Sequence, residues 1–393
     1  MLAFTFPGQG SQKPGMGAPW TDHESWELVA EASAIAGRDV GHLLLEADAD
    51  ELRQTRNAQL TTFVLSLVVL DAVERVGVSP GAAAGHSLGE YTALTATGAL
   101  SFDDGVRTVV ARGDAMQAAA EDNPGTMAAV LGLDDEDCDV ACRRADGEAW
   151  VANFNAPGQV VIAGSPDGVG RASAAAKELG AKKVMALPVG GAFHTPFMAP
   201  ARDALRKAIA EATLRSPDVP VIANIDARSH DDPDDWAKLL SAQLVSPVRW
   251  RQSVQRLVDD GVTTFVELGP GSVLTGTIKR IAPNAKAVSV NTQDDLDSLL
   301  ATLAGEQPQP ANVPPGEHLF MSERMIVSPA AGVFTPAGEW RERGEGPIEV
   351  GGLIGTIGDV EVRSLFAGHV MGLIAVDGER VTASQPIAWL RTG

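Results

Sequence analysis

The 393-residue sequence contains few cysteines and has far fewer basic than acidic residues. Its two cysteines, Cys138 and Cys142, cannot form a disulfide framework, and a zinc site would need further ligands at motif spacing. We therefore expect two buried thiols in a reducing compartment. The 51 acidic residues against 31 basic ones leave a formal charge of −20. Such a charge argues against binding to the phosphate backbone of nucleic acids.

Long uncharged hydrophobic stretches are also missing. No run of about 18 uncharged apolar residues occurs, and the opening MLAFTFPGQG lacks the basic segment and apolar core of a secretory signal. These absences predict a cytoplasmic protein without a membrane partner. Hydrophobic residues at 45% and charged residues at 21% are close to globular averages, so most of the chain is expected to fold.

The clearest boundary in the chain is the proline-rich stretch QPQPANVPPG. Its composition is typical of a semi-rigid linker, which we place at residues 307–317. Before it, apolar strand candidates alternate with alanine-rich helices, a pattern that predicts a parallel sheet covered by helices in an α/β fold. We assign residues 1–124 and 188–306 to this large catalytic subdomain.

The order of elements changes between the two parts of the large subdomain. Residues 125–187 predict strand, helix, strand, strand, helix and strand, which is the βαββαβ order of a ferredoxin-like unit. A small subdomain inserted into a larger one normally creates a cleft, and ligands bind in clefts. We therefore expect the active site beside this inserted unit.

The residues after the linker, 318–393, predict an all-β domain. Short β-branched and aliphatic runs are separated there by Gly, Pro and Asp, with little helical periodicity. A weak repeat suggests two similar halves, with chance recurrence as the alternative: Ser328, Ala331 and Gly332 are followed by Ser364, Ala367 and Gly368.

The sharpest local signal is Gly85-His86-Ser87-Leu88-Gly89, a G-x-S-x-G motif between a strand candidate and an alanine-rich helix. Small flanking residues let the chain turn sharply enough to expose a serine hydroxyl. The start of the following helix supplies N–H groups for a developing oxyanion. Chance occurrence is the alternative in a chain with 41 glycines. A functional motif would make Ser87 the nucleophile.

A serine nucleophile needs a base, and seven histidines are available. His86 adjoins the serine in sequence, so its ring should point away from the hydroxyl. His194 directly follows the last strand of the inserted unit, where the chain returns to the large subdomain beside the expected cleft. This position makes His194 the preferred base.

Seven short segments are spread in order over residues 1 to about 300: FPGQGSQ, GHSLGEY, ARGDAMQ, NFNAPGQVVIAG, GAFHTPFM, SPVRW and ELGPGSVLTGTIKR. In this order they resemble the malonyl-CoA:acyl-carrier-protein transacylase family, kin to the acyltransferase domains of fatty-acid and polyketide synthases. The resemblance implies an α/β-hydrolase-like large subdomain that carries the ferredoxin-like insertion. It also implies malonyl transfer from malonyl-CoA to the phosphopantetheine thiol of acyl carrier protein.

The family reaction proceeds by a ping-pong route through an acyl-serine, and the resemblance assigns roles to matching residues. Ser87 would attack the thioester with His194 as base, and the backbone N–H groups of Gln9 and Leu88 would hold the oxyanion. Arg112 matches the arginine that binds the malonyl carboxylate through a charge-assisted pair of hydrogen bonds. Its alternative is a solvated charge on a helix.

Further residues match family segments around the substrate. We expect Gln59, Asn155 and Gln159 to line the site, although Gln59 begins a Gln-Leu-Thr-Thr sequence where the family often has Gln-Pro-Ala-Leu. A turn-forming role is the alternative for Asn155 and Gln159. No third catalytic carboxylate is needed, because the family orients its histidine with a backbone carbonyl, which we place near Ser246.

The domain after the linker resembles a biotinyl/lipoyl-type β module. Members carry a lysine at a hairpin tip, and the corresponding tip here is Thr356-Ile357-Gly358-Asp359. The last lysine of the chain is Lys286, so no side-chain amine beyond the linker can accept biotin or lipoate. We expect a domain used for packing or docking, with neither cofactor attached.

We expect no permanently bound cofactor and no metal, with coenzyme A thioester as substrate, acyl carrier protein as partner and a monomeric chain. Two alternatives remain open. In an editing hydrolase, water would discharge the acyl-serine, and Arg112 argues against this because an unsubstituted acyl group has no carboxylate. In a docking subunit of a synthase, catalysis would be absent, and the intact Ser87, His194 and Arg112 argue against that. The pathway and the choice of malonyl over methylmalonyl stay open.

Overall fold

The computed structural model describes residues 1–303, 323–358, 360–383 and 385–392. The linker expected at residues 307–317 and Asp359 at the expected hairpin tip lie outside the described residues. The chain divides into two compact units. The first comprises Met1–Val73 and Ser79–Val313, and the second comprises Glu74–Val78 and Pro314–Gly393.

The first unit contains strands and helices in alternation. Its strands are β1 (Leu2–Phe6), β2 (Ala82–Gly85), β3 (Thr126–Leu131), β4 (Ala149–Ala156), β5 (Gln159–Gly164), β6 (Lys183–Ala186), β7 (Val221–Ile222), β8 (Thr264–Leu268) and β9 (Lys286–Val290). Its helices are α1 (Glu27–Ala36), α2 (Val40–Leu45), α3 (Ala49–Arg53), α4 (Thr55–Arg75), α5 (Leu88–Ala96), α6 (Phe102–Asp122), α7 (Asp135–Arg143), α8 (Pro166–Glu178), α9 (Ala199–Glu211), α10 (Pro233–Gln243), α11 (Trp250–Asp259), α12 (Val273–Ile281) and α13 (Asp294–Leu303).

Five parallel strands form the central sheet, in the order β7-β2-β1-β8-β9. Residues Ala82 to Gly85 of β2 are all buried, as expected for a strand covered on both faces. Ligands of open parallel sheets bind at the carboxyl ends of the strands. The chain leaving β1 and the chain leaving β2 therefore meet where a ligand site is expected.

Helix α4 is long and apolar enough to cross a membrane by length and composition alone. In the structure, however, 94% of its apolar window is buried inside the protein. Its side chains Phe63, Leu67 and Leu70 are fully buried, and even Asp71 is almost fully buried. A helix that is buried on all sides in this way is a core helix of a large α/β unit.

A second sheet, of four antiparallel strands, has the order β4-β5-β3-β6. Helices α7 and α8 contribute Cys138, Cys142 and several alanines to its core. Both thiols are free, and burial raises the pKa of each to about 12. Both thiols are buried, as the sequence predicts, and the raised pKa disfavours the reactive thiolate form.

Backbone hydrogen bonds connect this second sheet to the chain beyond α10. The N–H of Phe154 donates to the carbonyl of Val248 at 2.9 Å, and the N–H of Val248 donates to the carbonyl of Ala152 at 2.9 Å. These two bonds fix the end of β4 beside the carboxyl ends of the central strands. Asn155, near the end of β4, is thereby brought close to the turn after β2.

The second unit contains β10 (Arg324–Val327), β11 (Gly332–Pro336), α14 (Gly338–Arg343), β12 (Gly346–Ile348), β13 (Leu353–Ile357), β14 (Val360–Arg363), β15 (Gly368–Leu373), β16 (Arg380–Val381) and β17 (Pro386–Arg391). Two four-stranded sheets have the orders β10-β17-β15-β12 and β14-β13-β11-β16. The short sequence repeat corresponds to a repeated turn. Ser328 Oγ donates to the carbonyl of Ala330, and Ser364 Oγ donates to the carbonyl of Phe366.

Helix α14 corrects the expectation that this region is all-β. Its six residues, GEWRER, include a tryptophan whose indole N–H donates to the carbonyl of Leu353 at 2.7 Å. Trp340 is also buried in the core of the unit. Gly344, with φ of 69°, ends the helix in the left-handed region. Burial of one aromatic side chain thus stabilises a turn of helix that is too short to show periodicity.

Candidate active site

Ser87 lies on the turn between β2 and α5, with φ of 54° and ψ of −104°. This backbone conformation is strained for a residue that has a Cβ atom. Two glycines make the turn possible. A Cβ on Gly85 would lie 1.8 Å from the carbonyl carbon of Gly89, and a Cβ on Gly89 would lie 2.0 Å from the carbonyl oxygen of Phe6. The G-x-S-x-G spacing is therefore a steric requirement of this turn.

Replacing Gly89 with alanine is expected to destabilise the first unit by about 3 kcal/mol, since the new methyl group would overlap the backbone of β1. Thermal unfolding measures the effect. Gly170 in α8 is the matched control, because a Cβ there has nothing within 4 Å. Gly170→Ala should leave stability unchanged or raise it by up to about 1 kcal/mol. Equal shifts in both variants would contradict the steric argument.

His194 contacts the serine hydroxyl directly. Its Nε2 lies 2.7 Å from Ser87 Oγ, and its Nδ1 lies 2.9 Å from the carbonyl oxygen of Gln243. Because a carbonyl only accepts, Nδ1 carries the hydrogen and Nε2 is left to accept the serine proton. Burial, followed by the positive charge of Arg112, lowers the pKa of His194 to about 3. The ring is therefore neutral and available as a base near neutral pH.

The carbonyl that orients His194 belongs to Gln243, which corrects the expected position at Ser246. Helix α10 ends at Gln243, and the carbonyls of a last helical turn lack intrahelical donors. The ring N–H of His194 donates to the carbonyl oxygen of Gln243, and the backbone N–H of Ser246 donates to the same oxygen at 3.3 Å. The backbone of Ser246 also raises the pKa of His194, but less than that of Gln243 does.

Arg112 is a buried cation beside the serine. Only 1% of its surface is exposed, which excludes the solvated helix charge considered from the sequence. Nη1 donates to Gln59 Oε1 at 2.7 Å, while Nη2 donates to Gln243 Oε1 at 2.9 Å and to Ser87 Oγ at 3.1 Å. Desolvation lowers its pKa from the usual value, and nearby Tyr91 and Glu90 act in the opposite direction. A buried cation of this kind is expected to bind an anion.

A cavity of about 490 Å³ lies in front of the serine. It is lined by six further residues singled out in the sequence: Gln9, Gln59, Arg112, Asn155, Gln159 and His194. Its size suits an extended thioester substrate.

Three of the lining side chains form hydrogen bonds with neighbouring side chains. Gln59 is fully buried and accepts Nη1 of Arg112, so it positions the guanidinium. Asn155 Oδ1 lies 2.8 Å from His86 Nε2, which keeps that ring away from the serine, as predicted. Gln159 accepts a hydrogen bond from Arg280 at the end of α12.

The two expected oxyanion donors are backbone groups. Leu88 is the first residue of α5, so its N–H has no acceptor within the helix. Gln9 follows β1 and lines the same cavity. Next to it, a Cβ on Gly8 would lie 2.5 Å from the carbonyl of His86, so the loop after β1 packs closely against the serine turn.

Comparison with known proteins identifies the family. The profile described as "Acyl transferase domain" matches residues 3–299. Malonyl CoA-acyl carrier protein transacylase of Bacillus subtilis is 41% identical over 310 residues, which is 78% of this chain and 98% of that protein. The Escherichia coli K12 protein of the same name is 42% identical, covering 74% of this chain and 96% of its own length.

Solved structures agree. An acyl carrier protein S-malonyltransferase from Vibrio cholerae aligns with a TM-score of 0.73 and 40% identity, over 76% of this chain and 99% of its own. The structure PlMCAT:AntF, a type II PKS acyl-carrier protein in complex with its malonyl-transacylase, aligns with a TM-score of 0.74 and 37% identity, over 77% of this chain and 99% of its own. The chain belongs to the malonyl CoA-acyl carrier protein transacylase family. Its mixed α/β fold is the one shared by these transacylases.

In this transacylase, three residues of the site were not singled out from the sequence. They are Gln243, Asn224 and Glu90, and each is almost fully buried. Glu90 lies within the GHSLGEY segment, three residues after Ser87. A glutamate at the start of a helix that is expected to be buried is the sequence feature that could have pointed to it. Gln243 and Asn224 lie in segments without a motif, so only the folded chain reveals them.

Proposed function

We propose that this chain transfers a malonyl group from malonyl-CoA to the phosphopantetheine thiol of an acyl carrier protein. The proposal rests on one observation above all. The buried guanidinium of Arg112 and the neutral imidazole of His194 both contact Ser87 Oγ, at 3.1 and 2.7 Å. A nucleophile with a base on one side and a fixed cation on the other suits an acyl group that ends in a carboxylate.

In the first half-reaction, Ser87 Oγ attacks the thioester carbonyl while His194 Nε2 takes the hydroxyl proton. The oxyanion of the tetrahedral intermediate accepts hydrogen bonds from the N–H groups of Gln9 and Leu88, and each such donor contributes about 10²–10³ in rate. The carbon–sulfur bond then breaks, and His194 returns the proton to the thiolate of coenzyme A. The product is a malonyl ester on Ser87.

The second half-reaction runs the same steps in reverse with a different thiol. His194 takes the proton of the carrier's phosphopantetheine thiol, and the thiolate attacks the ester carbonyl of the acyl-serine. Ser87 leaves with the proton from His194. One thioester is exchanged for another, so the overall free energy change is small. No metal, redox group or permanently bound cofactor takes part in this scheme.

Arg112 supplies specificity in this mechanism. A malonyl carboxylate beside Ser87 would accept two charge-assisted hydrogen bonds from the guanidinium, whose position is fixed by the amide oxygens of Gln59 and Gln243. The amide oxygens are neutral, and no carboxylate accepts a hydrogen bond from the guanidinium among the contacts of the described residues. The positive charge also disfavours protonation of His194, so the base stays neutral before each turnover.

Release of coenzyme A tests the proposal against the hydrolytic alternative. The full chain is mixed with malonyl-CoA, with and without carrier protein that bears phosphopantetheine. Malonyl transfer predicts continuous release of coenzyme A only when the carrier is present. Continuous release without carrier would indicate an editing hydrolase, and no release in either mixture would indicate a docking subunit.

We further propose an organisation for the parts around the site. The strand order of the second sheet supports a ferredoxin-like small subdomain at residues 125–187 within a large α/β-hydrolase-like subdomain. The two four-stranded sheets and the repeated serine turn support a biotinyl/lipoyl-like β domain at residues 318–393 without an attached cofactor. A monomeric state and a cytoplasmic location belong to the same proposal.

Ending the chain within residues 307–317 is expected to leave a folded enzyme with nearly unchanged transfer to carrier protein. The Vibrio cholerae structure is matched over 99% of its length by 76% of this chain, so that enzyme lacks a counterpart of the second unit. The truncated chain is compared with the full chain for self-malonylation and for carrier loading. Normal self-malonylation with lost loading would make the second unit the carrier dock.

A further inference from the structure

Gln243 contacts all three groups that the proposed reaction needs. Its backbone carbonyl accepts the N–H of His194 at 2.9 Å, and its side-chain Oε1 accepts Nη2 of Arg112 at 2.9 Å. Its Nε2 donates to the backbone carbonyl of Ser87 at 2.8 Å. The main chain of Gln243 therefore holds the base, while its side-chain amide connects the cation to the backbone of the nucleophile.

The shape of an amide does not fix which end is oxygen, so its partners must do so. Three partners agree on the assignment: the guanidinium of Arg112 only donates, the carbonyl of Ser87 only accepts, and Glu90 Oε2 accepts Nε2 of Gln243 in the shortest of these contacts, at 2.6 Å. An ionised carboxylate can only accept hydrogen bonds. The NH₂ end of Gln243 must therefore face Glu90, and the oxygen end must face the guanidinium of Arg112.

The other oxygen of the same carboxylate supports the serine turn. Glu90 Oε1 accepts the backbone N–H of Asn224 at 2.6 Å. The side chain of Asn224 bridges the turn, since its Nδ2 donates to the carbonyl of Gly85 at 2.7 Å and its Oδ1 accepts the N–H of Ser87 at 2.7 Å. The carboxylate thus connects to both ends of the strained turn through one residue.

We propose that Glu90 is a positioning residue of this site, whose ionised carboxylate orients the amide of Gln243 and the backbone of Asn224. This inference rests on the proposed function, because its effect is on the malonylation of Ser87. Glu90 does not contact the reacting atoms. It acts through the amide of Gln243 on Arg112 and on the backbone of Ser87, and through Asn224 on the turn that carries the nucleophile.

Protonation of Glu90 would reverse this arrangement. Both partners of this carboxylate, the backbone N–H of Asn224 and Nε2 of Gln243, are hydrogen-bond donors. A protonated Glu90 would carry an O–H donor itself, so the O–H would be directed at one of these two donors. Burial raises the pKa of Glu90 to about 7, against the lowering effects of its partners Asn224 and Gln243 and of the charge on Arg112. Malonylation of Ser87 should therefore slow as the pH falls through about 7.

Two other titratable groups near Glu90, Tyr91 and His194, change their protonation at pH values far from 7, so they do not obscure the titration of Glu90. Arg112 on α6 and Gln243 on α10 lower its pKa, while Asp226 after β7 raises it. Tyr91, its neighbour on α5, has a pKa far above this window, raised mainly by burial. The pKa of His194 lies near 3, far below the window.

Glu90→Gln tests the proposal, because it keeps the shape of the side chain but places an NH₂ group against a donor. The rate of Ser87 malonylation is measured by quenched-flow mass spectrometry between about pH 6 and 8. The wild-type rate should rise with pH, whereas the variant should be about 10- to 100-fold slower at the upper end and independent of pH.

Glu267→Gln is the matched control. Glu267 is another fully buried glutamate, and it accepts the backbone N–H groups of Leu274 at 3.0 Å and Thr275 at 2.7 Å at the start of α12. This variant is expected to lose thermal stability as Glu90→Gln does. Its malonylation rate should nevertheless keep the pH dependence of the wild type.

Each outcome bears on the proposal. A Glu90→Gln variant that keeps the wild-type rate overturns it, as does one whose slower rate still rises with pH like the wild type. If the variant does not fold, the wild-type measurement decides, since a rate independent of pH around 7 also overturns the proposal. Failure of the wild type to acquire malonyl at any pH would instead contradict the proposed function.

Discussion

Replacing Ser87 with alanine is expected to abolish formation of the acyl-enzyme. The serine hydroxyl is held at a turn built for it, and the base His194 has its Nε2 directed at this oxygen at 2.7 Å. Loss of a nucleophile from such an arrangement lowers the rate by a factor on the order of 10⁶ in a well-studied serine enzyme. Intact-mass measurement after exposure to malonyl-CoA checks the expectation.

The fold of this variant should be unchanged, because alanine keeps the Cβ atom and removes only the hydroxyl. Thermal unfolding of Ser87→Ala should therefore resemble that of the wild type. Addition of malonyl to Ser87→Ala would place the nucleophile elsewhere.

His194→Ala should retain the nucleophile yet slow both half-reactions, since the same imidazole takes the proton of Ser87 and later that of the carrier thiol. His86 cannot replace His194 as the base, because its Nε2 is paired with Asn155 at 2.8 Å.

Replacing Arg112 with alanine is the second large effect. Loss of a charge-assisted contact to the malonyl carboxylate should cost about 1.5–3 kcal/mol, so malonyl transfer should fall roughly 10- to 150-fold. The variant also leaves the amide oxygens of Gln59 and Gln243 without their cationic donor. Acetyl transfer has no carboxylate to lose, so it should decline much less.

The ratio of the malonyl rate to the acetyl rate is the quantity to measure, with both acyl-CoA thioesters tested on the same preparation. Arg112→Lys is the companion variant, and it should recover only part of the malonyl rate because a point charge cannot match the two-pronged guanidinium. If Arg112→Ala lowered both rates by equal factors, the arginine would have a structural role only.

Local sequence patterns predict much of this fold. The strands Leu2–Phe6 and Thr126–Leu131 lie in the two regions where the sequence predicts strands, the alternating α/β pattern and the start of the βαββαβ order. Both are short apolar runs between turn residues, where propensity and burial agree. Helix α14 could not be predicted, because its six residues are too few for periodicity and depend on burial of Trp340 in the core of the second unit.

The same contrast applies to the site. Ser87, His194 and Arg112 lie in recognisable segments, and the structure brings them within hydrogen-bonding distance of one another through Ser87 Oγ. The contacts of Gln243 could not be derived in this way, because they depend on where α10 ends. The sequence interpretation placed this carbonyl near Ser246, at the start of SPVRW, whereas it belongs to Gln243, three residues before that segment.

Discharge of an isolated acyl-enzyme tests the central claim most directly. The full chain is loaded with malonyl-CoA, freed of excess thioester and then mixed with carrier protein that bears phosphopantetheine, while the masses of both proteins are followed. Transfer through an acyl-serine predicts that malonyl leaves the enzyme and appears on the carrier in equal amount, and that the ester persists when the carrier is absent. Malonyl lost to water at the same rate with and without carrier, which stays unmodified, would contradict the account.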